Sequence, residues 1–257
     1  MNGGSCFGVI TRNLSVRGDD EATVILDGLS GRSGFQIGVG NYSSAITVSI
    51  SNLTIQNSGG GDGGAIYAFG NSGMTVNMTD VTVKNSTGIN GIYMDGNTTG
   101  PVFNGVRLTL DGNDIRPNLS RGGGFLSYGV STLTDCEITN NATKSEGGGI
   151  TLVAPATLAM TGGKLSGNHA YTNNAAYGNG GAFSFLNDSQ SPVSFTLTNV
   201  EVKDNVADGS GGVGFYDGLA STVTMTGCTV TGNTGVTCNC VYHFTGSAYA
   251  CDTSYCA

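Results

Sequence analysis

An all-β solenoid of about eight coils, closed by a disulfide-rich C-terminal cap, is the fold this sequence predicts. Three observations predict it. Seven asparagines, Asn57, Asn85, Asn113, Asn141, Asn168, Asn205 and Asn233, recur at intervals of 28, 28, 28, 27, 37 and 28 residues. A fixed period in this range marks a stack of similar structural units. Each asparagine closes a short run in which apolar and polar residues alternate, the period of a strand with one buried face. Glycine pairs stand between successive asparagines, at 63–64, 123–124, 148–149, 180–181 and 211–212, and supply the corners between strands.

The elements follow in order within each unit. A first strand reads Thr47-Val48-Ser49-Ile50, Thr75-Val76-Asn77-Met78, Thr157-Leu158-Ala159-Met160, Phe195-Thr196-Leu197-Thr198 and Thr222-Val223-Thr224-Met225. A second ends at the asparagine, as in Asp80-Val81-Thr82-Val83 and Cys136-Glu137-Ile138. In the last four repeats an apolar residue stands three before it: Ile138, Leu165, Val202 and Val230. A third strand follows the glycine pair, as in Gly63-Gly64-Ala65-Ile66 and Gly180-Gly181-Ala182-Phe183. Three short strands in about 28 residues make one rung of a parallel β-helix, with like positions stacked from coil to coil. Stacking predicts inward columns: Ile66, Ile92, Phe125, Ile150, Phe183, Val213, Val241; Ala68, Met94, Ser127, Leu152, Phe185, Phe215, His243; and Leu53, Val81, Val106, Cys136, Gly163, Val200, Cys228. The seven asparagines predict a buried ladder of side-chain amides. The solenoid occupies 1–233 and the cap 234–257. At about 4.8 Å per coil the rod is on the order of 40 Å long.

Composition narrows the function. Ten Lys+Arg oppose 18 Asp+Glu for a net charge of −8, with no basic stripe, which argues against nucleic acid and disfavours anionic polysaccharide. No run approaches the ~20 apolar residues of a membrane span. Five of seven cysteines, Cys228, Cys238, Cys240, Cys251 and Cys256, crowd the C-terminus, while Cys6 and Cys136 stand alone. One CxC and two histidines, His169 and His243, do not make a metal site, so the crowd reads as disulfides formed in an oxidising compartment. An odd count leaves at least one thiol without an internal partner. Sequons at Asn41, Asn97, Asn118 and Asn187 lie in predicted corners and are the candidate glycosylation sites. Residues 1–20 lack a signal-peptide apolar core, and the register begins abruptly at Cys6, which reads as a piece of a longer chain or a processed one.

The Gly-Gly-Ala-Ile element at 63–66 and the Φ-x-x-Asn pattern, with Ile, Leu or Val as Φ, resemble the GGA[ILV] and FxxN repeats of chlamydial polymorphic outer-membrane proteins. More broadly, Asn13-Leu14-Ser15-Val16-Arg17-Gly18 through Asp27-Gly28 is similar to the early coils of the pectin-lyase-like superfamily. These resemblances imply a right-handed parallel β-helix; the cysteine-rich end and the sequons point to a surface protein.

No catalytic constellation emerges. Inverting glycosidases need two carboxyl groups about 6.5–9.5 Å apart. Asp19-Asp20 is an adjacent pair at a corner, where acidic turn residues are ordinary, and the GHG and RIK segments of β-helix galacturonases do not occur. Gly59-Gly60-Gly61-Asp62-Gly63-Gly64 occurs once, whereas calcium nonapeptides come in tandem. Arg17-Gly18-Asp19 is a short match at a corner. The reading is a non-catalytic, secreted or surface-displayed structural and adhesive module without cofactor, whose partners are other copies of itself or extracellular protein or glycan, as a unit of a filament or stalk. Two alternatives compete: a polysaccharide-binding or polysaccharide-degrading β-helix, and an ice-binding protein that uses threonine ranks at Thr47, Thr75, Thr132, Thr157, Thr196 and Thr222.

Overall fold

A computed structural model describes residues 8–21, 23–38, 45–59, 64–70, 73–96, 100–116, 121–172, 178–186, 191–216, 221–244 and 248–256. Three parallel sheets run along one axis. The first stacks Val9–Ile10, Phe35–Ile37, Ile66–Phe69, Ile92–Asp95, Phe125–Ser127, Ile150–Val153, Phe183–Leu186, Gly214–Tyr216 and Val241–Phe244. The second stacks Leu14–Arg17, Ile46–Gln56, Met74–Lys84, Val102–Asp111, Val130–Thr139, Thr157–Ser166, Ser194–Thr198 and Thr222–Thr226, so its main path is eight strands deep. Ile25–Asp27, Glu201–Lys203 and Thr229–Thr231 extend that sheet around the next corner. The third sheet has four two-residue strands, Ala142–Thr143, His169–Ala170, Val206–Ala207 and Thr234–Gly235. The sole helical element among the described residues is a 3₁₀ turn, Thr253–Tyr255.

The corners are built from residues that tolerate positive φ. Inside the second sheet, Asn52, Asp80, Arg107, Asp135, Gly162, Asn199 and Gly227 stack in one column, all with φ between 49° and 69°. A second column holds Asn57, Asn85, Gly112, Asn140, Gly167, Asp204 and Gly232. Asn, Asp and Gly visit this region at least cost because the short polar side chain bonds locally or no Cβ is present. From Asp135 in the first column and Asn85 in the second, side chain and glycine alternate. The carboxamide or carboxylate of Asn85, Asp135, Asn140, Asn199 and Asp204 lies over the Cα of a glycine one coil on, at Gly112, Gly162, Gly167, Gly227 and Gly232.

The amide ladder lies one residue beyond the second corner column and is completely buried at Asn113, Asn141, Asn168 and Asn205. Each Nδ2 donates to the Oδ1 of the next rung, at 2.8 Å from Asn113 to Asn141, 2.9 Å from Asn141 to Asn168, 2.9 Å from Asn168 to Asn205 and 2.8 Å from Asn205 to Asn233. Each also bonds a backbone carbonyl, and its own backbone N–H donates to the same Oδ1 of the next rung.

Asn57 and Asn85 do not belong to this ladder. The strand register pairs Lys84 with Asp111, so Asn85 stands opposite Gly112 and occupies the corner column, as Asn57 does. Ser58 and Ser86 take the ladder positions, fully buried, and Ser86 N–H donates to Asn113 Oδ1 at 3.0 Å. Their hydroxyls have no hydrogen-bond partner. Ser86→Asn is therefore expected to add a rung. A gain of about 1 kcal/mol would raise Tm by about 3 °C, read by thermal unfolding; an unchanged or lower Tm would show that the site cannot seat an amide.

The inward columns form one continuous core, with three register corrections. Leu108 rather than Val106 faces Val81, Gly214 rather than Val213 stands between Phe183 and Val241, and Tyr216 rather than Phe215 stands between Phe185 and His243. At Gly214 the gap is filled by the Phe183 ring. That ring meets Phe195 edge-on at 5.0 Å, an arrangement the ring quadrupoles favour.

Coil stacking continues past Asn233 through Thr234–Gly235 and Val241–Phe244. The chain then reverses, and Tyr249–Asp252 pairs antiparallel with Val241–Phe244. Disulfides Cys238–Cys251 and Cys240–Cys256 fasten this return, with Cα separations of 5.5 and 5.9 Å. Tyr255 covers the end of the second sheet, its hydroxyl donating to Val223 O at 3.0 Å. Cys228, counted above among the disulfide candidates, is a half-exposed free thiol: it lines a hollow with Ser254 and Tyr255 of the returning segment, while the cysteines there pair with Cys238 and Cys240. Cys136 is a buried thiol whose pKa burial pushes up; Cys6 lies outside the described residues. Replacing Cys238 and Cys251 by serine releases a loop of sequence separation 13, worth about 3 kcal/mol by loop entropy. Hydrogen exchange should show lost protection in Val241–Phe244 with the central coils unchanged; full protection there would mean the return strand holds without its staple.

Candidate binding face

The outer side of the second sheet is the most regular surface of the molecule. Side chains alternate along a strand, so every second residue points outward. Strand register then sets the outward residues into three ranks. Successive coils present Thr47, Ser49 and Ser51; Thr75, Asn77 and Thr79; Val102, Asn104 and Val106; Val130, Thr132 and Thr134; Thr157, Ala159 and Thr161; Ser194, Thr196 and Thr198; and Thr222, Thr224 and Thr226. The last four coils form a patch of nine threonines with Ser194, Ala159 and Val130, holding no charged and no aromatic side chain. Every one of these residues is exposed or half-exposed. The intervening residues, among them Leu133, Leu158, Met160, Phe195 and Leu197, are buried and clamp the backbone from beneath.

Threonine suits this face for a physical reason. Its branched Cβ leaves few χ1 rotamers in a strand, so hydroxyl and methyl positions are set before anything binds. Coil stacking places copies about 4.8 Å apart, and alternate residues along a strand lie about 6.7 Å apart. The coil carrying Val102, Asn104 and Val106 interrupts the threonines. There Asn104 donates to Asn77 Oδ1 at 2.9 Å, continuing the middle rank as amides. Around the corner the adjoining facet is charged, with Lys164 and Glu137 bridged at 3.0 Å.

A second polar cluster sits on the outside of the third sheet. His169 Nε2 lies 2.7 Å from Asp208 Oδ1, and the His169 ring stacks on Tyr171 at 3.6 Å. The Arg116 guanidinium lies 4.7 Å over the Tyr171 ring and forms a two-pronged bridge to Asp114, at 2.8 and 2.5 Å. That bridge holds the Asp114 carboxyl below the usual range. Each charge is matched by a neighbour within the cluster. Only His169 of this group stood out in the sequence.

The other residues singled out by sequence are not brought together. Asp19 and Asp20 sit exposed at a corner where the Asp20 carbonyl accepts from Thr23 and Val24 N–H. Gly18 is buried against the Asn52 backbone, which locks Arg17-Gly18-Asp19 into the coil rather than projecting it. Carboxyls with a displaced pKa are all held low: Asp27 by Gln56, Leu29 N–H and Asn57, Asp80 by Arg107, Asp252 by Ser254. A general acid of a glycosidase needs the opposite displacement. His243 stacks on Tyr216 at 5.0 Å, and burial pushes the Tyr216 hydroxyl up to about 12. No group of three or more candidate metal ligands occurs among the described residues. The glycosylation candidates Asn41, Asn97, Asn118 and Asn187 and residues 60–63 of the glycine-rich segment lie outside the described residues.

Stacked parallel strands on a single axis, an internal amide ladder and a continuous apolar core define this molecule as a parallel β-solenoid. The chain belongs to the family described as right handed beta helix region, which matches residues 33–252. No curated protein and no solved structure matches it. No described helix is long and apolar enough to cross a membrane.

Proposed function

We propose that this protein is a non-catalytic extracellular adhesive module, a rigid rod that attaches through the threonine face of its second sheet to an ordered solid surface. The observation that carries the reading is the four-coil patch from Val130 to Thr226, where nine threonines stand in register on a clamped backbone. A rigid, repeating array contacts a repeating surface at many points at once, and multiple weak contacts add through effective concentration. Little ordering entropy is lost because the array is already fixed. Two disulfides in the cap support an oxidising, extracellular setting. A stalk or filament is compatible with the rod. The return strand Tyr249–Asp252 covers the first sheet's edge, so copies joined at that end would dock through the second and third sheets.

Co-sedimentation tests the reading, with microcrystalline cellulose, chitin and an ice slurry as solids. Thr196→Lys together with Thr224→Lys is expected to lower binding to the recognised solid at least tenfold, about 1.4 kcal/mol, without lowering Tm. Lys144→Ala, on the third-sheet side, should leave binding unchanged. Binding that survives the double lysine variant, or release of reducing ends or unsaturated products from a polysaccharide, would overturn it.

A further inference from the structure

Resting on that reading, we infer that the solid the threonine face recognises is ice. The chemistry of the patch narrows the choice. Glycan surfaces are gripped by aromatic rings that stack on sugars and by amides or carboxylates that bond paired hydroxyls. The twelve positions of the patch, in their three ranks on the four coils, carry neither. Described aromatics outside the patch lie on other faces: Tyr67, Tyr93 and Tyr128 form a row on the first sheet, with centroids 5.2 and 6.2 Å apart, and Tyr171 stands on the third-sheet side. A charged surface is also a poor match, because none of the twelve patch positions carries a charge.

What the patch offers is hydroxyls alternating with methyl groups at fixed positions. Each hydroxyl is a donor and an acceptor and can bridge through one water to its copy on the next coil, about 4.8 Å away. The methyls between exclude water from every other direction. In liquid, holding each bridging water costs up to about 2 kcal/mol of immobilisation entropy. In ice the waters are already immobile, so the same bridges form without that cost. The face therefore separates solid from liquid water by the order of its partner, which is the discrimination an ice-binding surface needs. Many bridges form together only where the ranks stay in step, and the parallel register runs unbroken from Val130–Thr139 through Thr222–Thr226.

The experiment measures incorporation of the full chain into a slowly grown ice hemisphere, alongside thermal hysteresis. The wild-type chain should be enriched in ice and should show hysteresis. Thr196→Lys with Thr198→Lys should lose at least tenfold of the enrichment while keeping its unfolding midpoint, and Lys144→Ala should retain it. Exclusion of the wild-type chain from ice, with binding to cellulose or chitin that the lysine variant loses, would overturn ice as the ligand and leave the adhesive face standing. Exclusion from ice with no solid bound would overturn both. Equal enrichment of wild type and lysine variant would place ice contact elsewhere and overturn the inference.

Discussion

Asn168→Ala is expected to destabilise the central coils by about 4 kcal/mol, while Asn85→Gly changes stability by less than about 0.5 kcal/mol. The contrast follows from position. Asn168 is fully buried and sits mid-ladder. Its Nδ2 donates to Ile138 O at 2.8 Å and to Asn205 Oδ1 at 2.9 Å; its Oδ1 accepts from Asn141 N–H at 3.1 Å and Asn141 Nδ2 at 2.9 Å. Alanine removes all four bonds and strands the Asn141 backbone N–H and the Ile138 side of the carbonyl stack. Each orphaned buried group costs about 1–3 kcal/mol, and the cavity left by the amide adds to this. Because a solenoid is held by nearest-neighbour terms, the loss should split unfolding into two steps on either side of coil 157–166. Asn85 is exposed and needs only its positive φ of 55°, which glycine adopts freely. Denaturant unfolding reads both variants. A loss below about 1 kcal/mol at Asn168 would mean water replaces the rung.

The spacing of asparagines disclosed the period and the existence of the ladder, yet it placed two rungs wrongly. Asn57 and Asn85 lie on the same ruler as Asn113, but the ruler counts residues and the ladder counts strand register. Between Lys84 and Asp111 the coil is one residue shorter than the ruler assumes. The local pattern carries the true register. Leu110, Ile138 and Leu165 each stand three residues before a buried rung, and Val83 stands three before Ser86, whereas the residue three before Asn85 is Thr82. An inward apolar residue and the rung it precedes are tied by strand geometry, so that offset is the safer guide. A one-residue drift likewise explains Val213 and Phe215, whereas Val106 lies two residues from the inward Leu108, across the Arg107 corner. Adjacent apolar residues leave the inward member undecided until the neighbouring coil is known.

The threonine ranks were legible because period-2 alternation needs only one strand at a time. The third-sheet cluster was invisible: Asp114, Arg116, Tyr171 and Asp208 meet across successive coils through strands only two residues long, too short for any period. Cysteine pairing was equally out of reach. Five crowded cysteines allow many pairings, and only the direction of the return strand, which runs back along Val241–Phe244, brings Cys251 to Cys238 and leaves Cys228 aside.

Gly163→Ala is expected to be the most damaging single substitution, costing more than about 4 kcal/mol and leaving little soluble folded protein. Two independent obstacles meet there. The backbone has φ of +78°, which costs an L-residue roughly 1–2 kcal/mol. A Cβ would also collide with the carbonyl oxygen of Cys136 and lie 2.7 Å from its nitrogen and 2.8 Å from its carbonyl carbon. Those are backbone atoms, so no rotamer change relieves the clash. Cys136 is itself fixed on both sides: its strand pairs with Val102–Asp111 and with Thr157–Ser166, and its thiol bonds Gly105 O at 3.4 Å. Relief would require coils 130–139 and 157–166 to separate, and the amide ladder one corner away resists that, because Asn141 and Asn168 hold the same pair of coils together. Gly112→Ala is the comparison: there φ is +62° but the nearest atom is the end of the Asn85 side chain at 3.2 Å, which can swing aside. It should cost only the backbone term, about 1–2 kcal/mol. Soluble yield and chemical unfolding of the two variants decide the matter. Near-equal losses would show that close coil approach at Gly163 is not what demands glycine, and that its φ alone does.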